Sequence, residues 1–204
     1  MITIVDYGVG NLMSIQNMLG KLGFPSRTSS DPGEVTTADK IILPGVGAFA
    51  HGMDRLRTMG FEEPLRERVI DDGVPILGIC LGMQLFSRRS DEGNVAGLGW
   101  LDAEAVSFDK SRLQPHHRVP HMGWSEIDVT RPSRLFDEAP ERRFYFVHSY
   151  HVDCNDDSDV VAWSTHGYPF AAAVERNNIV GVQFHPEKSH RYGMTLLRNF
   201  AERY

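Results

Sequence analysis

The chain has only two cysteines in 204 residues, Cys80 and Cys154. Two thiols cannot build a disulfide framework and suit a reducing compartment, so a stapled secreted domain is excluded and a cytoplasmic protein is expected. Long hydrophobic runs are also missing. Nothing in the chain approaches the roughly 18–20 apolar residues that cross a bilayer. The start, Met1-Ile-Thr-Ile-Val-Asp6, has neither a cationic stretch nor a small-residue cleavage site. A basic block is absent too, with 21 Lys and Arg against 27 Asp and Glu and a net charge of −6. Gripping phosphates takes clustered cations, so neither nucleic acid nor a membrane is an expected partner. Repeats, low-complexity stretches and Ser/Gly/Pro linkers are lacking, and residues 1–204 read as a single domain.

What is present is ordinary globular material, 41% hydrophobic and 24% charged. Short apolar runs alternate with amphipathic stretches, the pattern of an α/β fold. Strands are predicted at 2–5, 40–43 and 75–79, and later at 144–147, 171–174 and 179–184, with Asn177-Asn178 as a hairpin turn. Helices are predicted from Leu12 to Leu22 with Asn11 as cap, from Phe61 to Asp72, from Met83 to Arg89 and from Met194 to Glu202. The segment from Gly97 to Pro140, rich in Pro, Arg and His, gives no clear pattern. Early βα alternation and late β-rich sequence together imply a mixed, mostly parallel central sheet flanked by helices, with added antiparallel strands.

The sharpest motif is Gly78-Ile79-Cys80-Leu81-Gly82, between a predicted strand and a predicted helix. It has the spacing of a nucleophile elbow, where small neighbours two residues either side let strand and helix close on a tight turn. The helix N-terminus behind such a thiol supplies backbone N–H donors for an oxyanion. A buried cysteine in a plain strand-to-helix turn is the bland alternative. A thiol nucleophile needs a base, and of nine histidines His185 is singled out because Pro186 forces it into an extended conformation. Glu187, two residues on, can then orient the ring; a surface loop after a strand is the competing reading. Pro44-Gly-Val-Gly47, after another strand, can offer a second oxyanion N–H or be a simple turn. Gly8-Val-Gly10 lacks the third glycine of a dinucleotide loop, since position 13 is Met, so no cofactor is expected. Neither His116, His117 and His121 nor His185, Glu187 and His190 has a metal-binding spacing, and no metal is expected.

Assembled, these residues resemble the class I, triad-type glutamine amidotransferases, over essentially the whole chain. The likeness runs through Asp6-Tyr-Gly-Val-Gly-Asn-Leu12, Leu43-Pro-Gly-Val-Gly47, Leu77-Gly-Ile-Cys-Leu-Gly-Met-Gln84, Val119-Pro-His-Met-Gly-Trp124, Tyr145-Phe-Val-His-Ser-Tyr150 and Gly181-Val-Gln-Phe-His-Pro-Glu-Lys-Ser189. The resemblance implies a flavodoxin-like three-layer fold and hydrolysis of glutamine to glutamate and ammonia. It implies Cys80 as nucleophile, His185 as base and Glu187 as its orienter. Gly45, Gly47 and Leu81 would surround the oxyanion, and Gln84, Glu92, Ser149 and Tyr150 would hold glutamine. It also implies a partner, a (β/α)8-barrel cyclase subunit that receives the ammonia in a heterodimer, with Asn11, Met122, Trp124 and Lys188 near the contact. The likeness is nearest to the branch that serves histidine biosynthesis, where the barrel makes imidazole glycerol phosphate and aminoimidazole carboxamide ribotide. Tyr150-His-Val152 and the tail Glu187-Lys-Ser-His-Arg-Tyr-Gly-Met194 also resemble a paralogous branch that feeds sugar amidation in surface-polysaccharide synthesis. A catalytically silent binding subunit is the alternative of another class. Ser125 departs from the branch, which usually has Asn there.

Overall fold

The computed structural model describes residues 1–137 and 142–204. In chain order the first elements are β1 (Ile2–Val5), α1 (Leu12–Lys21), β2 (Ser26–Ser29), α2 (Pro32–Val35), β3 (Lys40–Gly45), α3 (Phe49–Thr58), α4 (Glu62–Arg66), β4 (Ile76–Cys80) and α5 (Leu81–Gln84). Short strands β5 (Arg89–Ser90), β6 (Val95–Ala96) and β7 (Ala103–Ser107) precede β8 (His121–Glu126) and β9 (Asp128–Val129). Then come β10 (Arg143–His148), β11 (Tyr150–Cys154), β12 (Val160–His166), β13 (Tyr168–Arg176), β14 (Ile179–Val182) and α6 (His190–Arg203).

The main sheet has eight strands in the order β2-β1-β3-β4-β14-β13-β12-β9. From β2 to β14 neighbours run parallel; β13, β12 and β9 continue the sheet antiparallel. The parallel strands β1, β4 and β14 are buried along their whole length, which is why they read as unbroken apolar runs rather than as alternation. Helices cover both faces. Ile15 and Leu19 of α1 with Leu196, Leu197 and Phe200 of α6 pack on one side; Phe49, Met53 and Leu56 of α3 with Leu65 of α4 pack on the other. The second half adds the pair β10-β8 and the small sheet β11-β7-β5-β6.

Several expectations change. Asn11 precedes α1 without capping its backbone; its Oδ1 accepts from Ser14 Oγ at 3.0 Å instead. The helix read over 61–72 is α4 followed by a wider turn over Glu67–Asp71, closed where Asp72 N–H donates to Glu67 O, five residues back. The helix read over 83–89 is short, because α5 ends at Gln84 and the chain turns to supply β5. The last helix starts earlier, at His190. Of the unread segment 97–140, the part to residue 137 carries β7, β8 and β9, and residues 138–140 lie outside the described residues.

Candidate active site

Three adjacent parallel strands, β3, β4 and β14, end at one rim of the sheet, where ligands of open α/β sheets collect. The loop after β3 brings Val46 and Gly47, β4 ends on Cys80, and the segment after β14 brings His185 and Glu187.

Cys80 takes φ 54° and ψ −108°, outside the regions a side chain prefers, so the surroundings must hold it there. The glycines show how. A Cβ at Gly82 would meet Leu43 O at 1.8 Å, and one at Gly78 would meet Phe86 Cε2 at 2.5 Å and Met83 N at 2.7 Å. Strand and helix close on Cys80 only because both positions are bare. Its Sγ lies 3.7 Å from Gln183 Nε2, an amide donor, and 3.9 Å from Val147 O.

Pro186 keeps His185 extended, at φ −104° and ψ 97°. Ser189 Oγ donates to His185 O at 2.6 Å and accepts from Tyr145 N–H at 3.0 Å, and His185 N–H donates to Tyr145 O at 2.8 Å. The ring is thus pinned from its backbone. Nδ1 meets Glu187 Oε1 at 2.8 Å, with both side chains almost wholly buried. Among the described residues Nε2 has no hydrogen-bond partner. Burial disfavours an imidazolium here, but Cys80 and Glu187 together outweigh it and push His185 up to about 10.

The cleft between these elements has a volume of about 520 Å3. Cys80, Leu81, Gln84, Glu92, Gly47, Ser149, Tyr150 and His185, all singled out in the sequence, line it together. Glu92 is anchored at the N-terminus of α3, where Oε2 accepts from Phe49 N–H at 2.7 Å, a position that favours a carboxylate. Gln84 Nε2 donates to Tyr150 O at 2.9 Å and to Gln183 Oε1 at 3.1 Å. Gly45 closes β3 opposite Cys80 in the ladder but does not line the cleft. Lys188 is on the lining as well. Met122, 62% exposed, and the half-buried Trp124 lie on β8, which pairs with β10 so that Met122 faces Val147 of the lining. Asn11, half-buried, begins α1 just past the end of β1.

Sequence reading passed over Gln183, Val147, His148 and Pro120. Gln183 stands two residues before His185, and the period of an extended chain could have found it. His148 hides its role in a pattern of alternation; its Nδ1 is 2.8 Å from Tyr150 O, which leaves Nε2 buried without a partner among the described residues. Among the described residues, no group of three or more His, Cys, Asp or Glu is placed to hold a metal ion.

The family described as glutamine amidotransferase class-I matches residues 3–203. This chain belongs to that family. Relatives are 44% identical over 99% of both chains in Methanococcus maripaludis and 43% identical over 99% of both in Pseudomonas aeruginosa, each named imidazole glycerol phosphate synthase subunit HisH 2. Another, from Moorella thermoacetica, is named subunit HisH of the same synthase and is 47% identical over 98% of this chain and 94% of its own. Solved structures carry the same fold. A glutamine amidotransferase aligns at TM-score 0.72 and 18% identity, covering 97% of this chain and 98% of that one. A second glutamine amidotransferase, from Thermotoga maritima, aligns at 0.64 and 18%, covering 98% of this chain and 81% of its own. In this amidotransferase the elbow, the His–Glu pair and the cleft therefore sit on a fold that other amidotransferases share.

Proposed function

We propose that this amidotransferase is the glutaminase subunit of imidazole glycerol phosphate synthase, acting in the cytoplasm, and that its chemistry is carried by Cys80, His185 and Glu187. The observation that carries the reading is the strained elbow of Cys80 in one cleft with a histidine whose far nitrogen is fixed at 2.8 Å by a buried carboxylate. Cys80 Sγ attacks the side-chain carbonyl carbon of glutamine as the thiolate, its proton already held by His185, whose value raised to about 10 keeps it there at neutral pH. The tetrahedral oxyanion is met by the Leu81 N–H and by backbone of the Gly45–Gly47 segment. Collapse expels ammonia, which receives its proton from His185, and leaves a γ-glutamyl thioester. His185 then activates water, whose attack releases glutamate and restores the thiolate. Glu92 suits the ammonium of the substrate, and Gln84 with the Ser149–Tyr150 backbone suits its remaining polar groups.

Ammonia in water at neutral pH is mostly ammonium, which is no nucleophile, so its use requires direct delivery. We assign delivery to a (β/α)8-barrel cyclase docked over the cleft rim, with Trp124, Met122, Lys188 and Asn11 at the contact. The test measures glutamate formed by the chain mixed with the histidine-pathway cyclase, with and without that cyclase's nucleotide. Strong stimulation by both is expected. Cys80→Ala should abolish glutamine-dependent synthesis and spare ammonia-dependent synthesis by the barrel. A folded chain that forms no complex and shows no stimulation would move the assignment to another barrel, such as one of sugar amidation.

A further inference from the structure

Tyr7 follows β1, the strand next to β3, and its side chain is fully buried in the core that also holds Leu43, Phe49 and Leu81. Among the described residues its hydroxyl has no hydrogen-bond partner. Burial first, and the charge of Cys80 second, drive its ionisation far above the ordinary phenol range, so the group is a neutral O–H donor. A buried donor left unpaired is costly, and its persistence calls for an explanation. The group it touches supplies one. A Cβ at Gly45 would come within 2.6 Å of the Tyr7 oxygen, 2.8 Å of Leu81 Cβ and 3.0 Å of Gly82 N. The unpaired O–H therefore lies against the last residue of β3, beside the elbow.

The peptide joining Gly45 to Val46 has its carbonyl and its N–H on opposite sides, as every trans peptide does. Turned so that the carbonyl accepts from Tyr7, it aims the Val46 N–H away from the core and toward the cleft that Val46 lines. There is room for that turn. Val46 is 41% exposed, and at Gly47, φ +101°, the position a Cβ would take has no atom within 4 Å among the described residues beyond its own chain neighbours. We infer that Tyr7 is a positioning residue of the oxyanion site, whose hydroxyl holds the Gly45–Val46 peptide with its N–H facing the reacting carbonyl. The inference rests on the reading of Cys80 as nucleophile. The unpaired hydroxyl belongs to the resting arrangement and finds its acceptor in the reacting one.

The test is Tyr7→Phe in the full chain assembled with its barrel subunit. Losing an oxyanion donor's alignment should lower kcat for glutamine hydrolysis by about tenfold or more, with KM for glutamine kept within about twofold. Because the resting state loses only an unpaired group, Tm should hold or rise. Alkylation of Cys80 by iodoacetamide, which needs no oxyanion site, should keep its rate. An unchanged kcat overturns the inference, as does a loss carried by KM or one accompanied by a lower Tm or slower alkylation. Cys80→Ala run alongside separates the two readings: retained glutaminase there would refute the nucleophile assignment itself, whatever Tyr7→Phe does.

Discussion

At Cys80 the backbone occupies a conformation that costs a non-glycine residue about 1–3 kcal/mol, and bare neighbours are what allow the fold to impose it. Gly82 and Gly47 separate two meanings of glycine. At Gly82 a methyl would enter the Leu43 carbonyl at 1.8 Å, so Gly82→Ala must push β3 from the elbow. We expect a loss of about 2 kcal/mol or more, at the upper part of the overpacking range, together with loss of turnover. Gly47 has open space but a left-handed φ of +101°, and Gly47→Ala should cost only about 1–2 kcal/mol, the backbone penalty. Thermal unfolding of both variants checks the order; equal losses would mean that crowding at Gly82 is relieved cheaply. Glu187→Gln keeps shape and removes charge beside Nδ1 of His185. It should lower kcat by about a hundredfold or more, by analogy with the loss of a triad carboxylate, and move the His185 titration down from about 10. A kcat within fivefold of wild type would remove Glu187 from the mechanism.

Elements differ in how openly the sequence displays them. β1, β4 and β14 are legible because strands buried on both faces must be continuously apolar, and the Gly78–Gly82 pentad because a tight elbow admits few residues. The β-rich half is obscure for an opposite reason: its core is partly built of histidine. His121 on β8, His148 on β10, His151 on β11 and His166 on β12 are all buried around Phe108. Ring centroids lie 5.4 Å apart for His121–His148 and 4.3 Å for His121–His166. Composition reads such residues as polar surface, and so β8, β11 and β12 lose their alternation. The cluster has a consequence for stability. Burial first, then the neighbouring His166 and His117, hold His121 down at about 4, and His148, His151 and His166 are lowered as well, again chiefly by burial. Each holds a proton less readily when folded than at its ordinary value of 6.5 when unfolded, so around and below 6.5 the unfolded chain binds more protons. The cluster's contribution is therefore full above about pH 6.5 and falls toward pH 4, with His121 adding about 1.4 kcal/mol per pH unit across that window. His185, raised to about 10, works on the other side: its contribution is lost as pH rises through 10. Tm measured from pH 8 to 4 should decline steeply below 6.5, and His121→Phe or His166→Phe should flatten that decline. A slope unchanged in both variants would place the acid sensitivity outside the cluster.

For the molecule as a whole, the order of β3, β4 and β14 sets a loop, a thiol and an imidazole side by side from sequence positions near 46, 80 and 185, so the proposed chemistry exists only in the completed sheet. The same rim meets the proposed docking face. Trp124 stacks on His190 with ring centroids 5.7 Å apart and an interplanar angle of 11°, and pairs across the ladder with Tyr145. Tyr145 in turn accepts the His185 N–H and donates to Ser189. Lys188 lines the cleft and lies 5.8 Å from the Tyr145 ring centre. A partner covering Trp124 therefore presses on the scaffold of His185, yet anchoring and scaffolding are separable. If Trp124 is an anchor, Trp124→Ala should raise the Kd for the barrel by about thirtyfold, the equivalent of a 2 kcal/mol hot spot. Glutaminase at saturating barrel should then return to the wild-type kcat. Titration of partner against both heat and glutamate formation checks this. An unchanged Kd would move the docking face away from β8, whereas a raised Kd with kcat still low at saturation would mean that Trp124 also transmits the partner's effect to His185.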